Sequence, residues 1–166
     1  HEYYLSLCSI GTACMFVGEP TTRDGISFRA IHIDEIFIAE NADGIIDTVF
    51  RVFKMTVRQI VQKWGEKSLS PRIAKMYEKK DFDKEVELMH CVYPREDVDK
   101  SKKAATMLPV ASVYIDERDK HVLAEGGFDE MPYMVSRWAK AVGEVFGRSP
   151  AMTALPDIKM LQEIMK

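Results

Sequence analysis

Glu35-Ile-Phe-Ile-Ala-Glu-Asn-Ala-Asp-Gly-Ile-Ile-Asp-Thr-Val-Phe-Arg-Val-Phe-Lys-Met55 decides the fold class. Two runs rich in β-branched and aromatic residues flank Asn41-Ala-Asp-Gly44, whose residue types accept positive φ at little cost and so favour a tight connection. The pattern predicts a strand over Asp34 to Ala39, a longer one over Ile45 to Met55, and an antiparallel hairpin between them. Immediately after it, Thr56-Val-Arg-Gln59 fits a capping box, in which the threonine hydroxyl and the glutamine side chain each satisfy a free backbone N–H. Val57, Ile60, Val61 and Trp64 then fall on one face of a helix, and Gly65 is placed to take a left-handed C-cap.

Outward from this block, the alternation between period two and period 3.6 continues. Glu2 to Ser9 reads as a short helix stopped by Gly11, and Thr12 to Val17 as a strand. Gly18 to Gly25 is a turn-rich loop. Ile26 to Ile33 alternates Ile26, Phe28 and Ala30 against Ser27, Arg29 and Ile31, as a half-buried strand does. Ser70-Pro71 starts a helix with Ile73, Met76 and Tyr77 on its apolar side. Lys84 to Pro94 is a strand with Val86, Leu88, His90 and Val92 on one face. Glu96 to Thr106 is charged and poor in bulky groups, which predicts a mobile loop. Leu108 to Ile115 and His121 to Glu125 are strands joined by the polar Asp116 to Lys120 link, and the first half of Met131 to Val142 reads as another. Ser149-Pro150 is one further helix start, and Pro156-Asp157 another, leading into an apolar stripe of Ile158, Leu161, Ile164 and Met165. About seven or eight strands and four short helices, without a βαβ rhythm, make an α+β, mainly antiparallel domain.

Composition narrows the function classes. The chain has 166 residues, 46% of them hydrophobic, enough for one core and read as a single domain. Lys and Arg number 23 against 26 Asp and Glu, a net charge of -3 that gives no bulk attraction for phosphate. No run reaches the roughly 20 apolar residues of a membrane span. Cys8, Cys14 and Cys91 are an odd, widely spaced set that reads as buried, reduced thiols. His32 and His90 lie in strand-like runs and read as structural. The absent initiator methionine and the apolar stripe at the end point to an excised piece of a longer protein.

The usual catalytic patterns (GxGxxG, the phosphate-binding loop, GxSxG and HExxH) do not occur. Asp34-Glu35 and Asp81-Phe-Asp83 are the closest carboxylate pairs for a divalent cation, and solvation is their more economical role. Lys100, Lys102 and Lys103 could touch phosphate, and Phe50-Arg-Val-Phe-Lys54 and Tyr133 to Lys140 interleave rings with cations. In an ordinary sheet that alternation merely puts rings inside and charges outside. No cofactor, metal site or catalytic residue is expected. A nucleic-acid-binding module built on the lysine loop, as in a prophage-encoded protein, is the alternative reading; a small hydrolase with converging acids is a third.

One ordered set of segments goes further. Met131-Pro-Tyr-Met-Val-Ser-Arg-Trp138 followed by Gly147-Arg-Ser-Pro-Ala-Met-Thr-Ala-Leu-Pro-Asp-Ile-Lys159 resembles a signature of the head-to-tail connecting (portal) proteins of short-tailed phages: Pro-x-x-x-x-Arg-Trp, an aromatic-Gly-Arg-x-Pro turn, then an Ala-Leu-x-Asp-Ile-Lys-like helix start. Gly11-Thr-Ala13, Ile31 with Glu35 and Ala39, Asp43-Gly44 with Val49-Phe50-Arg51, and Met55 to Gln59 match in the same order. The likeness covers nearly the whole chain; Phe146 stands where tyrosine is the usual ring.

The resemblance implies a wing-type domain over 1–155 and, from 156 to 166, the start of a truncated stem helix. It implies a non-enzymatic subunit of a ring, typically of twelve copies, at one vertex of the virion, assembled in the host cytoplasm. That ring would meet capsid and scaffolding proteins, the packaging terminase and tail proteins, with DNA passing through it and no membrane involved. Arg137, Trp138, Gly147, Arg148, Pro150, Leu155, Pro156 and Asp157 carry the signature. Arg148 and Asp157 are read either as a pair pinning the wing to the stem or a neighbouring subunit, or as an exposed arginine and a helix-start carboxylate.

Overall fold

The hairpin forms with the register its turn dictates. In a computed structural model, which describes residues 1–20, 24–96 and 105–165, Ile36–Glu40 (β3) pairs antiparallel with Ile46–Thr56 (β4), Phe37 opposite Phe50. Asn41 builds the turn: its Oδ1 accepts from the amides of Asp43 and Ile45, each at 3.0 Å, while Gly44 turns the chain at φ 75°. Residues Ile33–Glu35, expected to end one strand and begin the next, instead make one turn of 3-10 helix ahead of β3.

Contacts divide the chain into two compact units, one of residues 35–131 and one joining residues 1–34 to 132–166. In the first, three further strands extend the hairpin into a five-stranded antiparallel sheet: Glu85–Pro94 (β5), Val110–Asp116 (β6) and His121–Phe128 (β7), in the order β3-β4-β5-β6-β7. Two helices, Val57–Trp64 (α2) and Pro71–Glu78 (α3), cover one side of it. Val57, Ile60 and Ile73 of these helices and Val86, Leu88 and Leu123 of the sheet form the core, each at most 4% exposed. Each fully buried side chain of this kind contributes about 1.5–3 kcal/mol.

The predicted face of β5 is the buried one: Val86, Leu88, His90 and Val92 are all within 2% of full burial. His90 is structural, with Nε2 2.9 Å from Ser112 Oγ and its ring stacked on Tyr114 at 3.9 Å. The capping box forms in full, Thr56 Oγ1 accepting from the Gln59 amide and Gln59 Oε1 from the Thr56 amide. Gly65 takes positive φ with an extended ψ of 170° rather than the left-handed helical value. Thr56→Ala removes one side of the box and is expected to cost about 1 kcal/mol, read as a lower urea midpoint at unchanged slope.

The second unit is a three-stranded antiparallel sheet of order β2-β1-β8, from Thr12–Gly18 (β1), Ser27–Ile31 (β2) and Tyr133–Arg137 (β8). Two helices, Glu2–Ser9 (α1) and Pro150–Ile164 (α4), touch one another beside it. In β2, Ile31 is buried at 4% exposed, while Phe28 and the preceding Ile26 stay open at 65% and 70%. Three expectations are corrected in this unit. Cys8 is exposed, unlike Cys14 and Cys91, and His32 sits in the exposed link after β2.

The third correction concerns the last helix, which starts at Pro150 and runs through Pro156 instead of beginning there. Ser149 accounts for this: its hydroxyl accepts from the Met152 amide at 3.0 Å and satisfies the first turn. Pro156 then removes the amide that would bond the Met152 carbonyl. The fold is α+β and mainly antiparallel, with eight strands and four α-helices among the described residues. Of the expected 96–106 loop, residues 97–104 lie outside the described ones, and Ala105–Met107 form a 3-10 turn.

Candidate functional site

The signature residues at 137–150 gather around one turn at Gly11, all within the smaller-sheet unit. Gly11 ends α1 at φ 90°, and a Cβ there would lie 2.5 Å from the backbone of Arg148 and Ser149. A Cβ on Gly147 would run into the carbonyl oxygen of Gly11 and come within 2.9 Å of the Arg137 Cβ. Two backbones therefore touch directly, which only glycine on both sides permits.

Hydrogen bonds fix the contact. The Trp138 amide donates to the Gly11 carbonyl at 2.9 Å, and the Gly147 amide donates to Thr12 Oγ1 at 2.8 Å. Arg148 and Ala139 form an isolated β-bridge, the Arg148 amide donating at 2.7 Å, and Arg137 Nη1 donates to the Val145 carbonyl at 3.1 Å. Ser149 has two roles: besides capping α4, its hydroxyl donates to the Ser9 carbonyl at 2.8 Å. That one side chain ties the end of α1 to the start of α4. The Thr12 and Ser149 side chains lie in residues 1% exposed, where an unpaired hydroxyl would be costly.

Of the eight predicted residues, Arg137, Trp138, Gly147, Arg148 and Pro150 come together in this joint. The Trp138 ring itself remains 54% exposed. Leu155, Pro156 and Asp157 lie farther along α4. The Arg148–Asp157 pair does not form: the Arg148 guanidinium forks onto Glu144 at 2.6 and 2.9 Å, and Asp157 sits in mid-helix. The hydrogen bond from Arg148 holds the Glu144 carboxyl below its ordinary range, an interaction present at neutral pH and lost as the pH falls through that lowered value. Both groups are solvated, so the pair is worth little to stability. Gly11, Thr12 and Ser149, equal members of the joint, were not among those eight, although Gly11-Thr-Ala13 and the Gly147-Arg-Ser-Pro150 run both belong to the segments that carry the resemblance.

Every residue of α4 from Ala151 to Met165 is exposed, including Met152, Leu155, Ile158, Met160, Leu161 and Ile164. No helix among the described residues is long and apolar enough to cross a membrane.

Among the described residues, the acids of the two predicted pairs are met by cations. Glu35 pairs with Arg51 at 2.7 Å and Asp81 with Lys84 at 2.6 Å. A hollow of about 540 Å³ in the larger-sheet unit is lined by Glu85, Glu87 and Glu117, but also by Lys54, Arg72, Arg118 and Lys120. No group of three or more metal-ligating side chains occurs among the described residues. Lys100, Lys102 and Lys103 lie outside the described residues.

Within the smaller-sheet unit, then, a backbone joint is followed by a helix whose apolar side chains are exposed. Comparison with known proteins shows the family. The chain is 36% identical over 163 residues to the portal protein of Salmonella phage epsilon15, and 30% identical over 164 residues to the probable portal protein of Bordetella phage BPP-1. These matches cover 96% and 98% of this chain but 29% of each relative, so the chain spans about three tenths of their length. The model of the bacteriophage head to tail connecting proteins matches residues 1–166 from end to end, and the chain belongs to that family.

Proposed function

We propose that this chain is a structural part of a portal subunit, the ring of a short-tailed phage through which DNA enters and leaves the head. The observation that carries the reading is the match of the whole chain to the connector family and to two relatives named portal proteins. Residues 1–155 serve as the wing-type part and residues 156–166 as the start of a stem helix, the boundary falling inside α4. The uncovered apolar surface of α4 supports this, because such a helix is stable in water only when neighbours bury it.

The subunit carries no catalysis of its own. It joins other copies in a ring of about twelve, as the resemblance implies, and meets capsid and scaffolding proteins, terminase and tail proteins at the virion vertex after assembly in the host cytoplasm. A net charge of -3 suits a conduit, since each phosphate a wall neutralises adds salt-dependent affinity that would hold DNA back. The test is electron microscopy of the complete gene product that carries these residues. Closed rings with a central channel, and DNA affinity that is weak and nearly flat with salt, are expected. A monomer whose DNA affinity falls steeply between 50 and 200 mM salt would replace this reading with the nucleic-acid-binding module.

A further inference from the structure

Each of the two sheets shows an apolar face to solvent. In the three-stranded sheet the antiparallel registers set Met15 beside Ala30 and Met134, and Val17 beside Phe28, all on one face. On that face Phe28 is 65% and Met134 55% exposed, with Ile26, just ahead of β2, at 70%. In the five-stranded sheet, Phe37, Phe50, Cys91 and Val113 share a face with Val52, Met89, Ile115 and Val122, on the side opposite α2 and α3. There Phe37 is 60%, Val122 49% and Phe50 36% exposed.

Solvation does not explain either face, since a sheet with one side in water normally alternates to polar residues on that side. At about 200 Å² for a large side chain, the three most exposed residues of each face leave roughly 300–400 Å² of apolar surface open. The half-buried residues around them bring each face near the apolar share of a standard interface, about 800 Å² per partner with slightly over half of it non-polar. The two areas are comparable, and on the larger face the charge in the Phe37 row is confined to its edge, where Glu125 of β7 stands opposite Val113.

We propose that these two faces are the two halves of one head-to-tail interface: the Ile26, Phe28 and Met134 face of one copy docks on the Phe37, Phe50 and Val122 face of the next. Two sheet faces stack naturally at about 10 Å. One such contact covers both faces, whereas two separate self-pairings would link copies into an open polymer. A contact between unlike patches repeats in one direction and closes into a ring when its rotation allows. The assignment deepens the ring reading and rests on it for closure, not for the choice of faces.

The test uses the complete gene product in two variants, Phe28→Glu and Phe37→Glu, each placing a charge on one face at an open position where folding is undisturbed, with Ile26→Glu and Val122→Glu as second choices. Each variant alone is expected to lose ring formation, with association weakened about a hundredfold or more. A one-to-one mixture, which retains one intact face of each kind, is expected to give a discrete heterodimer by analytical ultracentrifugation. Wild-type rings that persist in either variant alone would overturn the faces and leave the ring standing. A wild type without rings, together with a mixture that still pairs one to one, would keep the faces and remove the ring. Self-pairing of Phe28→Glu alone into dimers would overturn the head-to-tail assignment in favour of a symmetric one.

Discussion

Asp116→Ala is expected to lower the stability of the larger-sheet unit by about 3 kcal/mol, the low end for removing one member of a buried charged pair, because Arg72 keeps a second carboxylate in Asp119. Asp116 is fully buried at the end of β6. Its carboxylate accepts from Ser70 Oγ and Arg72 Nη2, both at 2.7 Å, and from the Arg118 amide at 3.2 Å. Ser70 is itself the N-cap of α3, so one carboxylate fastens the start of that helix to the sheet. Deleting it takes the acceptor from the buried Ser70 hydroxyl and the shorter of two ion pairs from Arg72, which keeps Asp119 at 3.4 Å. Urea unfolding followed by tryptophan fluorescence measures the loss, Trp64 reporting from beside the same core. A loss below about 1 kcal/mol would mean that water replaces the carboxylate without difficulty, contrary to its burial.

Gly11→Ala is the second large effect, expected to cost about 3 kcal/mol. Roughly 1 kcal/mol comes from placing a Cβ in a positive-φ conformation, and about 1–3 kcal/mol from driving that Cβ into the backbone at Arg148 and Ser149. Gly147→Ala meets the same contact from the other side, so the double variant should cost less than the two singles added. Thermal melts of the three variants would show this. Full additivity would mean that the two glycines do not share a contact.

Much of the larger-sheet unit was legible because its determinants are local. The Asn41–Gly44 turn and the Thr56–Gln59 box are completed by residues within four positions of each other, and β5 states its buried face by strict alternation. The strand at Ser27–Ile31 was legible as half-buried but its inner face was not, because period two separates two faces without saying which is inside, and here the larger side chains are the open ones. The last helix carried two proline start signals, and the hydroxyl cap at Ser149 decided between them.

Long-range features left almost no trace. Asp116 stands in a run of charged residues that reads as a solvated hairpin loop, and its partner Ser70 is 46 positions away. The joint was half visible. Arg137, Trp138, Gly147, Arg148 and Pro150 came from the family signature, but nothing near Gly11 announces that it meets a segment some 136 positions later. A glycine after a helix reads as an ordinary stop.

Direct backbone contact between Gly11 and Gly147 fixes where α4 starts beside the smaller sheet, and in the proposed ring every copy would need α4 to leave in the same direction. The most direct measurement is electron microscopy of the complete gene product carrying Gly11→Ala, at a temperature where circular dichroism shows native secondary structure. Broken or irregular assemblies from a chain that is still folded are expected. Uniform closed rings indistinguishable from wild type would contradict that role for the contact.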